Sequence, residues 1–314
     1  MNIIKRKLAK SIFIFLVFLA IGLFLWLAKG TLFYLFNFGY IGLSVSLGTA
    51  LNGILPRDKK MWSRKITQLM IGIYLLGVLG FFGHENMQIE GFFFYLLAGI
   101  FSGPVIHYFV AKIFGTLLFG RGYCGWACWT MMVTDLLPWM KPKKGRLRYW
   151  GMVRYVHFFG VLSLVLVLWY SFQANDTRNI SMMLFKWLII GNLTYYSIAI
   201  ILAAVFKDNR AFCKYACPIP VLMKLGAPFS IWKIKIEKDK CTECRLCEKN
   251  CPMNVKLLGY MKTNKRVAST ECIACQQCVN ICPKNAIRYT KGFDLELKGY
   301  INYNNVQKLN KENE

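Results

Sequence analysis

The sequence predicts an α-helical membrane bundle of about six transmembrane helices, followed by a small C-terminal α+β domain organised by clustered cysteines. Three observations lead there. Hydrophobic residues make up 56% of the 314 positions and come in long runs, and about 20 apolar residues suffice to cross a hydrocarbon layer of roughly 30 Å. Lys and Arg crowd into alternate loops between those runs. All twelve cysteines fall into regularly spaced groups, with none left over. A large soluble helical protein would need a polar face on each helix, and Ser11–Ala28 and Val161–Trp169 have none.

The apolar runs lie near 11–28, 32–55, 66–83, 92–111, 152–171 and 187–206. Lys5, Arg6, Lys7 and Lys10 precede the first, and Arg57, Lys59, Lys60, Arg64 and Lys65 follow the second. Arg121, Lys141, Lys143, Lys144, Arg146 and Arg148 follow the fourth. The intervening loop at 82–91 carries Glu85 and Glu90 but no Lys or Arg; the loop near 173–183 has only Arg178, with Lys186 placed to snorkel from the last span. Positive loops stay inside, so a multi-pass protein of the cytoplasmic membrane is expected, with both termini and the C-terminal domain in the cytoplasm. The first run is longer than a signal-peptide core and lacks a small-x-small cleavage site, so it reads as a retained helix. The second run holds Asn37, Asn52 and the small residues Gly39, Gly42, Ser44, Ser46 and Gly48, which suit a helix buried against its neighbours. The expected domains are a bundle over 1–231, a cysteine-rich domain over 232–291 and a flexible polar tail over 292–314.

The formal net charge of +25 would suit nucleic-acid binding if it lay on one face. Its confinement to alternate loops points to membrane lipid as the partner and excludes nucleic acid. No GxGxxG, flavin motif or P-loop is present, which argues against an enzyme acting on a soluble substrate. Disulfide frameworks belong to small secreted domains, so the cysteines read as metal ligands.

The strongest signal is Cys241-Thr-Glu-Cys244-Arg-Leu-Cys247-Glu-Lys-Asn-Cys251-Pro252, repeated as Cys272-Ile-Ala-Cys275-Gln-Gln-Cys278-Val-Asn-Ile-Cys282-Pro283. Each is the bacterial ferredoxin run for a [4Fe–4S] cluster, whose fourth cysteine ligates the other cluster. Crossed ligation assigns Cys241, Cys244, Cys247 and Cys282 to one cluster, and Cys272, Cys275, Cys278 and Cys251 to the second. Zinc does not need eight thiolates in this arrangement. Val255, Leu257, Val267 and Ile287 are expected to pack over the clusters and exclude water.

Two further pairs are Cys124-Gly-Trp-Ala-Cys128, after the fourth span, and Cys213-Lys-Tyr-Ala-Cys217-Pro218, after the sixth. If each is helical, its sulfurs share a face. Spans four and six emerge on the same side, so Cys124, Cys128, Cys213 and Cys217 are expected to converge at the cytoplasmic boundary. A third cluster, another Cys₄ metal site, redox dithiols and inert buried thiols all remain open as occupants.

This order of elements, with Arg121-Gly-Tyr-Cys124-Gly-Trp-Ala-Cys128, Cys213-Lys-Tyr-Ala-Cys217-Pro218 and the two ferredoxin runs, resembles the membrane polyferredoxins of the NapH, NosR and CcoG type over roughly residues 60–290. The family's paired motifs usually read CxxxCP; Cys217-Pro218 matches, and Trp129 follows Cys128. Lacking the long extracytoplasmic domain of NosR proteins and the large C-terminal domain of CcoG proteins, the chain is most similar to the short NapH-like form. The resemblance implies electron flow between quinone, or a membrane redox partner, and the clusters, as in a quinol dehydrogenase subunit. Two other functions stay open: an assembly factor reducing a metal or thiol on a client protein, and a membrane redox sensor. His107 and His157 fall within or near spans and leave open a haem ligand, a quinone-site group or an interhelical hydrogen bond. His84 is expected in an extracytoplasmic loop, solvated.

Overall fold

A computed structural model describes residues 2–139, 145–147, 149–172 and 177–294. Residues 295–314 of the expected tail, together with Lys141, Lys143, Lys144 and Arg148, lie outside the described residues, as do the side chains of Arg6, Lys7 and Arg178.

Five helices are long and apolar enough to cross a membrane: Leu8–Lys29, Phe33–Ile54, Lys60–Phe82, Trp150–Ser171 and Met182–Phe206. Helix α1 (Asn2–Lys29) turns back through Gly30, whose φ of 69° is one that glycine adopts freely, and α2 (Phe33–Ile54) returns alongside it. The small residues of α2 let the backbones approach: a Cβ on Gly42 would meet Phe18 Cβ at 2.5 Å, and one on Gly48 would meet Thr67 Oγ1 at 1.9 Å. Ser11 Oγ and Ser46 Oγ lie 2.9 Å apart across the same hairpin. Next comes α3 (Lys60–Ile73), which continues as a π-helical segment over Tyr74–Phe82.

The span expected at 92–111 is split, and this corrects the sequence reading. After Phe82 the chain turns inward, burying Asn86, Met87 and Gln88. A half-length helix, α4 (Ile89–Leu97), follows, and the chain then turns through Gly99 at φ 66°. It restarts at Gly103-Pro104 as α5 (Gly103–His107), a π-helical stretch (Tyr108–Phe114) and α6 (Gly115–Phe119). Together these form an apolar helix over Gly103–Phe119, whose length at 1.5 Å per residue is roughly 25 Å. Proline begins a helix well because it has no N–H to lose there, so Gly99 and Pro104 break one apolar run into two helices. Glu90, expected in the loop at 82–91, is half-buried at the start of α4, with Tyr195 Oη 3.0 Å from its Oε1. Farther along α4, Phe94 packs edge-on against Trp169.

The chain then forms α7 (Gly122–Trp126), α8 (Trp129–Thr134), α9 (Val153–Phe172), α10 (Thr177–Phe206), α11 (Ala211–Tyr215) and α12 (Ile219–Gly226). In the C-terminal domain, β1 (Trp232–Ile236) pairs antiparallel with β2 (Ile287–Lys291), from Trp232 opposite Lys291 to Ile236 opposite Ile287. Between the strands lie α13 (Leu246–Lys249), α14 (Leu257–Lys262) and α15 (Gln277–Ile281). One buried core runs from α7, α8 and α11 of the bundle into this domain, through Met131, Phe212 and Met223 to Ile273, Val255 and Ile234.

Candidate iron–sulfur and boundary cysteine sites

In the C-terminal domain the cysteines surround two small cavities. Cys241, Cys244, Cys247 and Cys282 line one, with Leu246, Leu258 and Ile287. Cys251, Cys272, Cys275 and Cys278 line the other, with Ile234, Val255 and Leu257. Each cavity therefore takes three cysteines from one run and the last from the other.

The backbone is shaped to match. Non-glycine residues with positive φ are uncommon, yet Glu243 and Arg245 in the first run and Ala274 and Gln276 in the second have φ of 49–58° at equivalent positions. Asn254 and Asn285, three residues after the last cysteine of each run, also have positive φ. Left-handed residues alternating with ordinary ones turn backbone N–H groups toward one concave side, a cradle suited to an anionic group. Val255 N donates to Cys251 Sγ at 3.3 Å. Ile287 on the first cavity and Val255 and Leu257 on the second are each at most 4% exposed, and Val267 is as deeply buried nearby in the same core. This donor set and cradle fit a cysteine-ligated cubane. Among the described residues, no three His, Cys, Asp or Glu side chains are drawn into a metal-ligating group.

The boundary cysteines show a repeat that composition does not reveal. Arg121-Gly-Tyr-Cys124-Gly-Trp-Ala-Cys128 and Arg210-Ala-Phe-Cys213-Lys-Tyr-Ala-Cys217 fold alike. The first cysteine sits in a five-residue helix (α7 or α11), the alanine after it leaves the helix, and the second cysteine leads into the next helix (α8 or α12). The expectation of both sulfurs on one helical face is thereby corrected, because each pair straddles a helix break. It also explains Trp129: this residue takes the first helical position of α8, where proline is favoured but not required. Its indole donates to Asn192 Oδ1 at 3.0 Å.

The two pairs come together. Cys124 and Cys213 are 4% and 3% exposed, in one cluster with half-buried Cys128 and Cys217. Cys213 and Cys217 each feel the charges of Cys124 and Cys128, and Cys124 Sγ lies 3.5 Å from Met223 Sδ. Burial pushes the thiols of Cys128, Cys213 and Cys217 up; thiolates there call for a cation or a cluster as partner.

Buried charges frame this site, and the sequence reading missed their role. Asp135 receives Arg64 Nη1 at 2.7 Å and also Arg210. Burial opposes its ionisation, but the two guanidiniums hold its carboxyl below the usual range. Arg64 also donates to Gly125 O at 2.9 Å and Arg210 to Cys124 O at 2.8 Å. Glu271, next to Cys272, is gripped by Arg121 at 2.7 Å, Lys224 at 2.8 Å, Arg146 at 3.0 Å and Arg154 at 3.2 Å. Against burial, Arg121, Arg146 and Lys224 hold its carboxyl down to about 2. Lys112, 1% exposed, has its ammonium 3.5 Å from the Tyr108 ring centroid, with the Tyr123 and Trp129 rings 5.1 and 5.3 Å away. The legible signal was an arginine three residues before the first cysteine of each pair.

Boundary motif and ferredoxin run are in direct contact. A Cβ on Gly125 would meet Ile273 O at 2.3 Å, so only glycine allows this approach. Trp126 Nε1 donates to Ala274 O at 2.9 Å, and Arg121 donates to Thr270 O at 3.2 Å.

A family model described as a 4Fe-4S dicluster domain matches residues 233–283, and one described as a 4Fe-4S binding domain matches 101–146 and 196–237. The second takes in both boundary pairs. An uncharacterized protein of Methanocaldococcus jannaschii is 29% identical over 72% of this chain and 86% of its own length. The ferredoxin-type protein NapH of Haemophilus influenzae is 24% identical over 59% of the chain and 67% of its own length. The chain is similar to ferredoxin-type proteins of the NapH kind and carries the 4Fe-4S domains of both family models. The methylamine utilization ferredoxin-type protein MauN of Methylorubrum extorquens is a further relative of this NapH-like chain, 25% identical over 77% of it and 93% of the relative. No solved structure matches. It is a membrane iron–sulfur electron-transfer protein of the NapH and MauN type.

The histidines of this NapH-like chain make separate contacts. His107 Nε2 lies 3.2 Å from Tyr123 Oη. His157 Nδ1 lies 2.7 Å from Ala216 O and its Nε2 3.2 Å from Tyr195 Oη. His84 meets Phe185 at a tilt of 57°, with ring centroids 4.4 Å apart.

Proposed function

We propose that this protein relays electrons between the membrane quinone pool, or a membrane partner, and two [4Fe–4S] clusters on the cytoplasmic side, by way of the boundary cysteines. Cys241, Cys244, Cys247 and Cys282 would hold one cluster, and Cys272, Cys275, Cys278 and Cys251 the other. Cys124, Cys128, Cys213 and Cys217 would hold a third redox centre or metal. When bound, such clusters supply reversible one-electron chemistry. The chain's own part is to exclude water with Val255, Leu257, Val267 and Ile287, to cradle negative charge with turned backbone amides, and to surround the boundary site with Arg64, Arg121, Arg210 and Lys112.

The observation that carries this reading is the seating of Gly125 and Trp126, between Cys124 and Cys128, on Ile273 and Ala274, between Cys272 and Cys275. Two cysteine sites in van der Waals contact through backbone favour a continuous route. The contact between Arg57 and Asn285 puts the basic loop after α2 beside the ferredoxin domain, which supports the cytoplasmic placement. The test is anaerobic purification with iron and sulfide quantification and paramagnetic resonance after dithionite reduction. The reading expects at least about eight irons per chain, four for each cluster, and signals from two interacting centres. Iron well below that level overturns it.

A further inference from the structure

Outside the cysteine sites, Glu90, Tyr195 and His157 stand in a hydrogen-bonded row within the bundle. Tyr195 Oη is 3.0 Å from Glu90 Oε1 and 3.2 Å from His157 Nε2, and His157 Nδ1 is 2.7 Å from Ala216 O. Ala216 precedes Cys217, so the row runs from the buried start of α4 to the boundary cysteines.

Counting hydrogens fixes what this row can hold. A carbonyl oxygen only accepts, so His157 Nδ1 carries a hydrogen. With neutral His157, Nε2 accepts from the single hydroxyl hydrogen of Tyr195, and the Tyr195 oxygen must then accept from a protonated Glu90. With ionised Glu90, Tyr195 donates to the carboxylate and accepts from a protonated Nε2. Both states make all three hydrogen bonds, and they differ by one proton moved from Glu90 to His157.

We propose that Glu90, Tyr195 and His157 form a one-proton relay joining the bundle interior to the boundary cysteines. At rest the proton sits on Glu90, because separated charges are costly in a buried setting. Lys112 and Tyr108 face Glu90 electrostatically, and Cys217 faces Tyr195. Glu90 Oε2 has no protein partner, nor do the buried amide of Gln88, Asn86 Nδ2 and Tyr108 Oη. An electron placed on the boundary site by a one-electron donor adds negative charge beside Ala216-Cys217. The carboxyl proton then passes to Tyr195 Oη as the hydroxyl proton passes to His157 Nε2, leaving Glu90 ionised and His157 cationic. No other atom moves. This coupling rests on the reading of the four cysteines as a redox site; the one-proton count does not.

The test is infrared spectroscopy of the anaerobically purified full-length protein, before and after dithionite. Glu90→Gln is expected to keep wild-type iron and to abolish a protonated-carboxyl band seen in the wild type at rest. In the wild type that band is lost on reduction; in Tyr195→Phe it shifts at rest, through loss of its acceptor, and no longer responds to reduction. A resting wild type without such a band, or a band that survives Glu90→Gln, overturns the relay. So does an unshifted band in Tyr195→Phe, which also decides the matter should Glu90→Gln not fold. A resting band unmoved by reduction while the boundary site takes up an electron overturns the coupling. If that site takes up none, the functional reading fails, and the resting spectrum still decides the relay.

Discussion

The ferredoxin runs and the boundary pairs are both four-cysteine sites, but they are built in different ways. In the ferredoxin domain, ligand spacing and left-handed residues at Glu243, Arg245, Ala274 and Gln276 preset each loop within a dozen residues. At the boundary, Cys124 and Cys213 lie far apart in sequence, and buried ions hold their segments in register: Asp135 ties Arg64 on α3 to Arg210 before α11. Three of the four cysteines of each ferredoxin site are specified locally and the fourth comes from the other run, whereas the boundary site exists only when the bundle is assembled.

Four experiments break or sharpen this contrast, beginning with the largest effect. Cys251→Ser should remove the second cluster although it lies in the first run. Its iron should fall to about half that of a two-cluster protein, with the residual spectrum of Cys272→Ser. A residual spectrum matching Cys244→Ser instead would mean linear, not crossed, ligation. Asp135→Asn comes next. Removing one member of a buried ion cluster leaves the partners uncompensated, typically at about 3–5 kcal/mol. The bundle should melt at lower temperature in detergent while the ferredoxin cluster spectra stay as in the wild type. Gly125→Ala should force Ile273 away from the boundary motif. Both sites should keep their metal, and electron transfer between them should slow at least tenfold by stopped-flow reduction. Arg57→Ala removes an exposed contact to Asn285 and should change stability by about 0.5 kcal/mol or less.

What was legible in the sequence follows the same division. The ferredoxin ligands were readable because spacing alone encodes them, and the bundle because apolar runs are local. The split at 92–111 was obscured because α4 and the helix after it are both apolar, although Gly99 and Gly103-Pro104 marked the break. Glu90 was placed in a loop because carboxylates between apolar runs, here Glu85 and Glu90, read as a boundary; the inward turn at 83–88 brings Glu90 to Tyr195 and, through it, to His157. Arg64 read only as a loop charge, and Asp135 and Arg210 drew no reading, because the partners stand 71 and 75 positions apart. Arg121 was equally opaque, since Glu271 is 150 positions away.

The central claim, that the boundary cysteines carry electrons to the ferredoxin clusters, is tested most directly by hydroquinone reduction of Cys213→Ser. The variant is purified anaerobically in parallel with the wild type, and cluster reduction is followed by paramagnetic resonance. The claim predicts that both proteins retain the two ferredoxin clusters and both are reduced by dithionite, while only the wild type is reduced by hydroquinone. Reduction of Cys213→Ser by hydroquinone at the wild-type rate would contradict it.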